Sequence, residues 1–159
     1  MKKKYLENFY NNTLTYKQYE VFATALPITL LHKNMFNQTE QFLKEKYDLL
    51  HSHVDVLATL YFNGNALTPT ELYDAIVFSS GGMTKVLKKL EDRGYILRKP
   101  SQNDKRSLLV CITPLGSELV VESLQAIATQ KEKIFNILTQ KEKKELNYIL
   151  EKLTRSLYN

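Results

Sequence analysis

The stretch from Leu67 to Gly116 constrains the fold more than any other part of this chain. It opens with Thr68-Pro69-Thr70-Glu71, in which a threonine can cap a helix, a proline occupies the first helical position and a glutamate reaches back to the cap. The helix is short, because Val77-Phe78-Ser79 changes direction soon after. Ser79 is the expected N-cap of a second helix carrying Met83, Val86, Leu87 and Leu90 at i, i+3, i+4 and i+7, and Arg93-Gly94 closes it with a cation in the last turn and a glycine just past the end. Tyr95 to Lys99 and Ser107 to Thr113 then read as two strands joined by the polar turn Pro100-Ser101-Gln102-Asn103-Asp104. Thr113-Pro114 starts a new helix.

Helix, turn, helix and hairpin in this order make a winged helix-turn-helix, and its charge fits a surface for phosphate. Between Ser79 and Arg106 there are eight basic residues (Lys85, Lys88, Lys89, Arg93, Arg98, Lys99, Lys105, Arg106) against three acidic ones (Glu91, Asp92, Asp104), a surplus of five. The whole chain has 22 basic and 17 acidic residues, also a surplus of five, so the remainder is neutral. A net charge confined to one segment is the electrostatic footprint of a nucleic-acid binder.

The flanking regions read as helical. Thr15 to Lys46 carries apolar positions at helical spacing, with Pro27 predicting either a kink or a break at which the main helix starts. Ahead of it, Tyr5, Phe9 and Tyr10 form an aromatic cluster that covers either the chain's own core or a partner subunit. A further helix is expected from Ser52, as cap, to Phe62, with Val54, Leu57, Ala58 and Tyr61 on one face and Asn63-Gly64-Asn65 ending it. The helix after Thr113 is expected to reach Leu138, and Thr139-Gln140-Lys141-Glu142 opens a last one through Leu157. Apolar stripes on these long helices (Leu146, Ile149, Leu150, Leu153 and Leu157 in the last) point to association between two subunits, with a monomeric bundle as the alternative. The fold class is therefore mainly α with a small β-hairpin wing, a winged helix-turn-helix core flanked by N- and C-terminal dimerisation helices. The expected regions are 1–50 for dimerisation, 51–113 for DNA binding and 114–159 for dimerisation, in one compact chain.

Composition excludes several other classes. The single cysteine, Cys111, allows no intramolecular disulfide and fits a reducing, cytoplasmic setting. Glu7, Asn8, Asn11 and Asn12 interrupt any apolar run after the basic start, so no secretory leader is expected, and no apolar run is long enough to span a membrane. The three histidines have no clear carboxylate or cysteine partner in the sequence and no phosphate loop occurs, so neither an enzyme nor a cofactor or metal site is expected.

In a helix-turn-helix the second helix lies in the major groove with its N-terminal residues against base edges. Ser79, Ser80, Gly82 and Thr84 leave that end small, and Lys85 is long enough for guanine or a phosphate, while Lys88 and Lys89 suit phosphate. Thr68 and Thr70 sit at a helix N-terminus whose amides suit another phosphate. Arg98, Lys99, Gln102, Asn103, Lys105 and Arg106 form the wing's contact set, and arginine gains from the potential of a narrow minor groove. Asp104 would repel phosphate if unpaired, so it is expected to orient Arg106 or Arg98.

LTPTEL before the turn, SSGGMTKVLKKLEDRGYILR through the second helix and NDKRSLLVCITPLG across the wing resemble the MarR family of bacterial winged-helix regulators. The resemblance implies a homodimer, built by its terminal helices, that binds a near-palindromic DNA operator. Such proteins commonly repress transcription until a small molecule or an oxidant changes the spacing of their readers. It also implies Arg106 as the minor-groove residue and Ser80 to Lys88 as the major-groove contacts. Peroxide-sensing members of the family use a cysteine in the N-terminal helical region, which this chain lacks. Cys111, on a wing strand, is either a redox-responsive thiol or a small packed hydrophobe. His32, Tyr47 and Tyr61 could line an effector pocket, with core packing as the alternative role for each. The other readings kept open are a non-specific architectural DNA binder and a protein-interaction module with a vestigial reader.

Overall fold

The computed structural model describes residues 3–76, 82–100 and 108–158. Its contacts divide the chain into two compact units, Met1–Asp48 and Leu49–Asn159. No helix among the described residues is long and apolar enough to cross a membrane.

The first unit holds helix α1 (Lys3–Thr15), a 3-10 turn at Lys17–Tyr19 and helix α2 (Val21–Tyr47). Pro27 lies inside α2, which starts at Val21 and not at the proline. The missing N–H of Pro27 removes one helical bond, but the helix runs through that position without ending. Asp48 closes α2 in the left-handed conformation, its amide bonding back to Leu43 and Lys44. Tyr5, Tyr16, Tyr19, Val21 and Phe22 are all exposed. Phe9 and Tyr10 meet edge to face with ring centroids 6.2 Å apart.

The second unit is built around helix α3 (His51–Phe62), which packs against the helix at Met83–Asp92, the sheet and the helix at Pro114–Phe135. That central place buries His53, Val54, Val56, Leu57 and Leu60. Val56 and Leu60 therefore join the core beyond the single face expected, while Tyr61 comes to the surface. The cap expected at Ser52 stands instead at Leu50, whose amide donates to Nδ1 of His53 at 3.0 Å. An imidazole three residues on can satisfy the same orphan donor that a serine cap would leave to it.

After α3 the chain turns through Gly64 and Asn65, both at positive φ, into a two-residue strand β1 (Ala66–Leu67). Helix α4 (Pro69–Ala75), helix α5 (Met83–Asp92), strands β2 (Ile96–Pro100) and β3 (Leu108–Ile112), and helices α6 (Pro114–Phe135) and α7 (Gln140–Arg155) complete the unit. The sheet order is β1-β3-β2, antiparallel throughout, with Ala66 opposite Cys111 and Arg98 opposite Val110. Helix α6 stops at Phe135, short of Leu138, and α7 stops at Arg155, short of Leu157.

Candidate nucleic-acid interface

Helix α5 divides cleanly into two sides. Met83, Val86, Leu87 and Leu90 are buried, while Thr84, Lys85, Lys88 and Asp92 are exposed and Lys89 is half-buried. The amphipathic spacing read from the sequence thus turns the small and basic residues outward. The start of the helix differs from the reading. Gly82 has φ 80 and ψ 18, outside the helical region, so α5 begins at Met83 with Gly82 as its N-cap and not after Ser79. Gly82's carbonyl accepts the amides of Lys85 and Val86 at 2.8 and 3.1 Å. A glycine adopts this conformation at no steric cost. Ser79 and Ser80 lie outside the described residues, as do Gln102, Asn103, Asp104, Lys105 and Arg106.

The far end of α5 closes in a Schellman motif. The Tyr95 amide bonds to the Leu90 carbonyl and the Gly94 amide to the Glu91 carbonyl, both at 2.9 Å, with Gly94 at φ 71. This turn delivers the chain into β2. There Arg98 and Lys99 are exposed, and Nε of Arg98 lies 3.3 Å from Oε2 of Glu91 on α5. The sequence offers Asp104 as an anion for Arg98; Glu91 on the neighbouring helix is already one, because the turn brings the end of α5 beside the strand. Glu91 is a residue of the site that the sequence reading missed, since nothing in spacing alone links a helix carboxylate to a strand seven residues later.

Thr68 is the N-cap of α4 as expected, but its donors are engaged. Both its amide and its hydroxyl donate to Oε2 of Glu71 at 2.8 Å, and its oxygen accepts the Glu71 amide at 3.2 Å. The Thr68/Glu71 box is thus closed as the residue types suggest, and Thr70 is exposed beside it at the same helix N-terminus.

The other candidates separate. His32 and Tyr47 are in the first unit, where their rings lie 5.9 Å from Phe36 and 5.9 Å from Phe42 respectively. Tyr61 is in the second unit, on an open groove of about 450 Å³ lined also by Ser117, Glu118, Val121, Glu122 and Gln125. Cys111 is half-buried on the central strand, opposite Ala66 on one side and Leu97 on the other. The histidines do not all lack a carboxylate: His51 Nε2 is 3.7 Å from Asp55 Oδ1, one helical turn along α3. Among the described residues, no three His, Cys, Asp or Glu side chains gather closely enough to share a metal ion.

The sequence profile of the MarR family matches residues 47–107. The multiple antibiotic resistance protein MarR of Salmonella typhimurium is 31% identical over 139 residues, which cover 84% of this chain and 95% of that protein. The chain belongs to the MarR family. Among other relatives of this MarR-family chain, the HTH-type transcriptional regulator PecS of Dickeya dadantii is 28% identical over 116 residues, covering 72% of this chain and 70% of PecS. A crystal structure of mutant MarR from E. coli complexed with operator DNA superposes with a TM-score of 0.67 at 25% identity, over 84% of this chain and 95% of that one. The mainly helical architecture with a small antiparallel sheet is thus the winged-helix fold of the MarR family.

Proposed function

We propose that this chain is a sequence-specific DNA-binding transcriptional regulator. In this reading it acts as a homodimer that represses from a near-palindromic operator and is released by a small-molecule effector. The observation that carries the reading is the outward face of α5, where Thr84, Lys85 and Lys88 stand exposed above a buried apolar side. Its kinship with a MarR protein studied in complex with operator DNA supports the same assignment.

The roles follow from position. Gly82 and Thr84 keep the start of α5 small, with Ser79 and Ser80 preceding it, and Lys85 follows as the first long donor for a base edge. Lys88, Lys89, Lys99 and Thr70 serve phosphates, which fix register without reading sequence. Gln102, Asn103, Lys105 and Arg106 reach the minor groove from the wing, with Asp104 orienting Arg106. Residues 51–113 are the reader, while 1–50 and 114–159 join the two subunits.

A titration of binding against salt, comparing a palindrome selected from random duplexes with an unselected duplex, tests the proposal. A specific regulator keeps an affinity ratio of roughly 10³ or more between the two, on half-sites about one helical turn apart. Equal affinity would favour a non-specific architectural role. Absence of binding even at low salt would leave a protein-interaction module.

A further inference from the structure

Three helices of the second unit begin with a threonine cap, and one of the three is built differently. At Thr68 and Thr139 the hydroxyl donates to the carboxylate three residues on, Glu71 and Glu142, at 2.8 and 2.7 Å. At Thr113 the residue three on is Gly116, which offers an amide but no acceptor side chain. The Thr113 oxygen accepts that amide at 3.1 Å, as a cap does. Its proton crosses the chain instead, to the Gly94 carbonyl at 2.7 Å, with the Tyr95 carbonyl 3.1 Å away. The Thr113 amide also donates to the Tyr95 carbonyl, at 3.0 Å.

Gly94 and Tyr95 are the residues that close α5, so these bonds join the end of the recognition helix to the start of α6. Gly116 tightens the joint. A Cβ built there would collide with the Tyr95 carbonyl oxygen and come within 2.9 Å of Ile112 Cγ1. The bridge spans 19 residues of sequence and bypasses the wing hairpin between them.

We infer that Thr113 is a positioning residue for DNA reading: through Gly94 and Tyr95 it fixes the direction of α5 relative to α6, and so where Thr84 and Lys85 are presented. The inference rests on the DNA-reading proposal above. It adds that the aim of the reader is set at the base of the wing, by a residue that need not touch DNA. Without the hydroxyl, α5 would be held to α6 by the Thr113 amide and by packing, and the two could turn against each other.

The test compares the full chain carrying Thr113→Val, which keeps the shape and removes the hydroxyl, with Thr113→Ser, which keeps the hydroxyl. Binding is measured to an operator selected by the wild-type chain and to an unselected duplex. Circular dichroism confirms that each variant is fully folded at the assay temperature. Thr113→Val should lose about tenfold in operator affinity, the scale of one hydrogen bond. Its affinity for unselected DNA should be unchanged, because that term comes from phosphate charge and not from aim. Thr113→Ser should restore the operator affinity. An unchanged ratio in Thr113→Val, equal losses on both duplexes, or failure of Thr113→Ser to rescue would each overturn the inference. A wild-type chain that selects no sequence would instead overturn the DNA-reading proposal, and the inference with it, through a separate arm.

Discussion

Lys85 and Lys88 share the exposed side of α5 one turn apart, at different distances from the helix start, and the proposed function gives them different work. In the proposed reading Lys85, in the first turn, meets base edges, and Lys88, further along, lies over the DNA backbone. Lys88→Ala should weaken operator and random DNA alike and reduce the slope of log affinity against log salt by about one, the signature of one lost phosphate contact. Lys85→Ala should cost roughly 1–3 kcal/mol more on the operator than on random DNA. Salt titrations on both duplexes separate the two effects, and matching behaviour of the two variants would contradict the assignment. Both lysines were legible in the sequence because amphipathic spacing fixes which side of a helix faces out. The partner of Arg98 was not, because Glu91 and Arg98 meet only after the Schellman turn at Gly94 folds the strand beside the helix.

At the scale of elements, the helix starts marked by a threonine cap, those of α4, α6 and α7, were the most legible. The boxes Thr68/Glu71 and Thr139/Glu142 are closed as the residue types require. In both, the threonine's backbone amide first and its hydroxyl second hold the glutamate carboxyl below its usual value of 4.5. A depressed folded value stabilises the helix fully above the ordinary carboxylate range, and that contribution is lost as pH falls through the lowered value. Carboxyl NMR titration should therefore give midpoints below 4.5 for Glu71 and Glu142. Thr68→Ala and Thr139→Ala should move each midpoint part of the way back up, because the backbone amide remains, and wild-type midpoints at or above 4.5 would rule the boxes out in solution. Other boundaries escaped sequence reading for identifiable reasons. Ser52 has the right side chain for a cap, but His53 already satisfies the Leu50 amide. Ser79 has the right side chain too, but the left-handed Gly82 puts the helix start further on. Strand β1 is two residues long and exists only because β3 lies beside it, too short for alternation to register.

On the scale of the whole molecule, α7 has no buried residue in the single chain, and Ile149, Leu153 and Leu157 are among its exposed side chains and those just past its end. An amphipathic helix with its apolar side uncovered gains by covering it, which supports the proposed association of two copies. Leu153→Glu should convert a sedimenting dimer to a monomer while leaving helix content intact, since Leu153 is 48% exposed in the chain itself. Operator affinity should then fall on the order of 10²-fold, as two linked half-site contacts become independent. A wild-type chain that sediments as a monomer at micromolar concentration would refute the dimer.

Local sequence patterns carry the helical character of α2 through α7, the apolar side of α5, the gathering of positive charge and the starts of α4, α6 and α7, whereas α1 forms where the sequence shows only an aromatic cluster. Such patterns depend on residues a few positions apart, whose mutual geometry the helix fixes in advance. Tertiary structure alone decided the burial of α3 on several sides, the pairing of Arg98 with Glu91, and the course of the Thr113 proton to Gly94 instead of to a neighbouring carboxylate. Each joins residues across a turn or a strand, where distance in the chain sets no distance in space. The opening stretch from Leu67 to Gly116 announces a reader; how its recognition helix is held against α6 is written only in the folded chain.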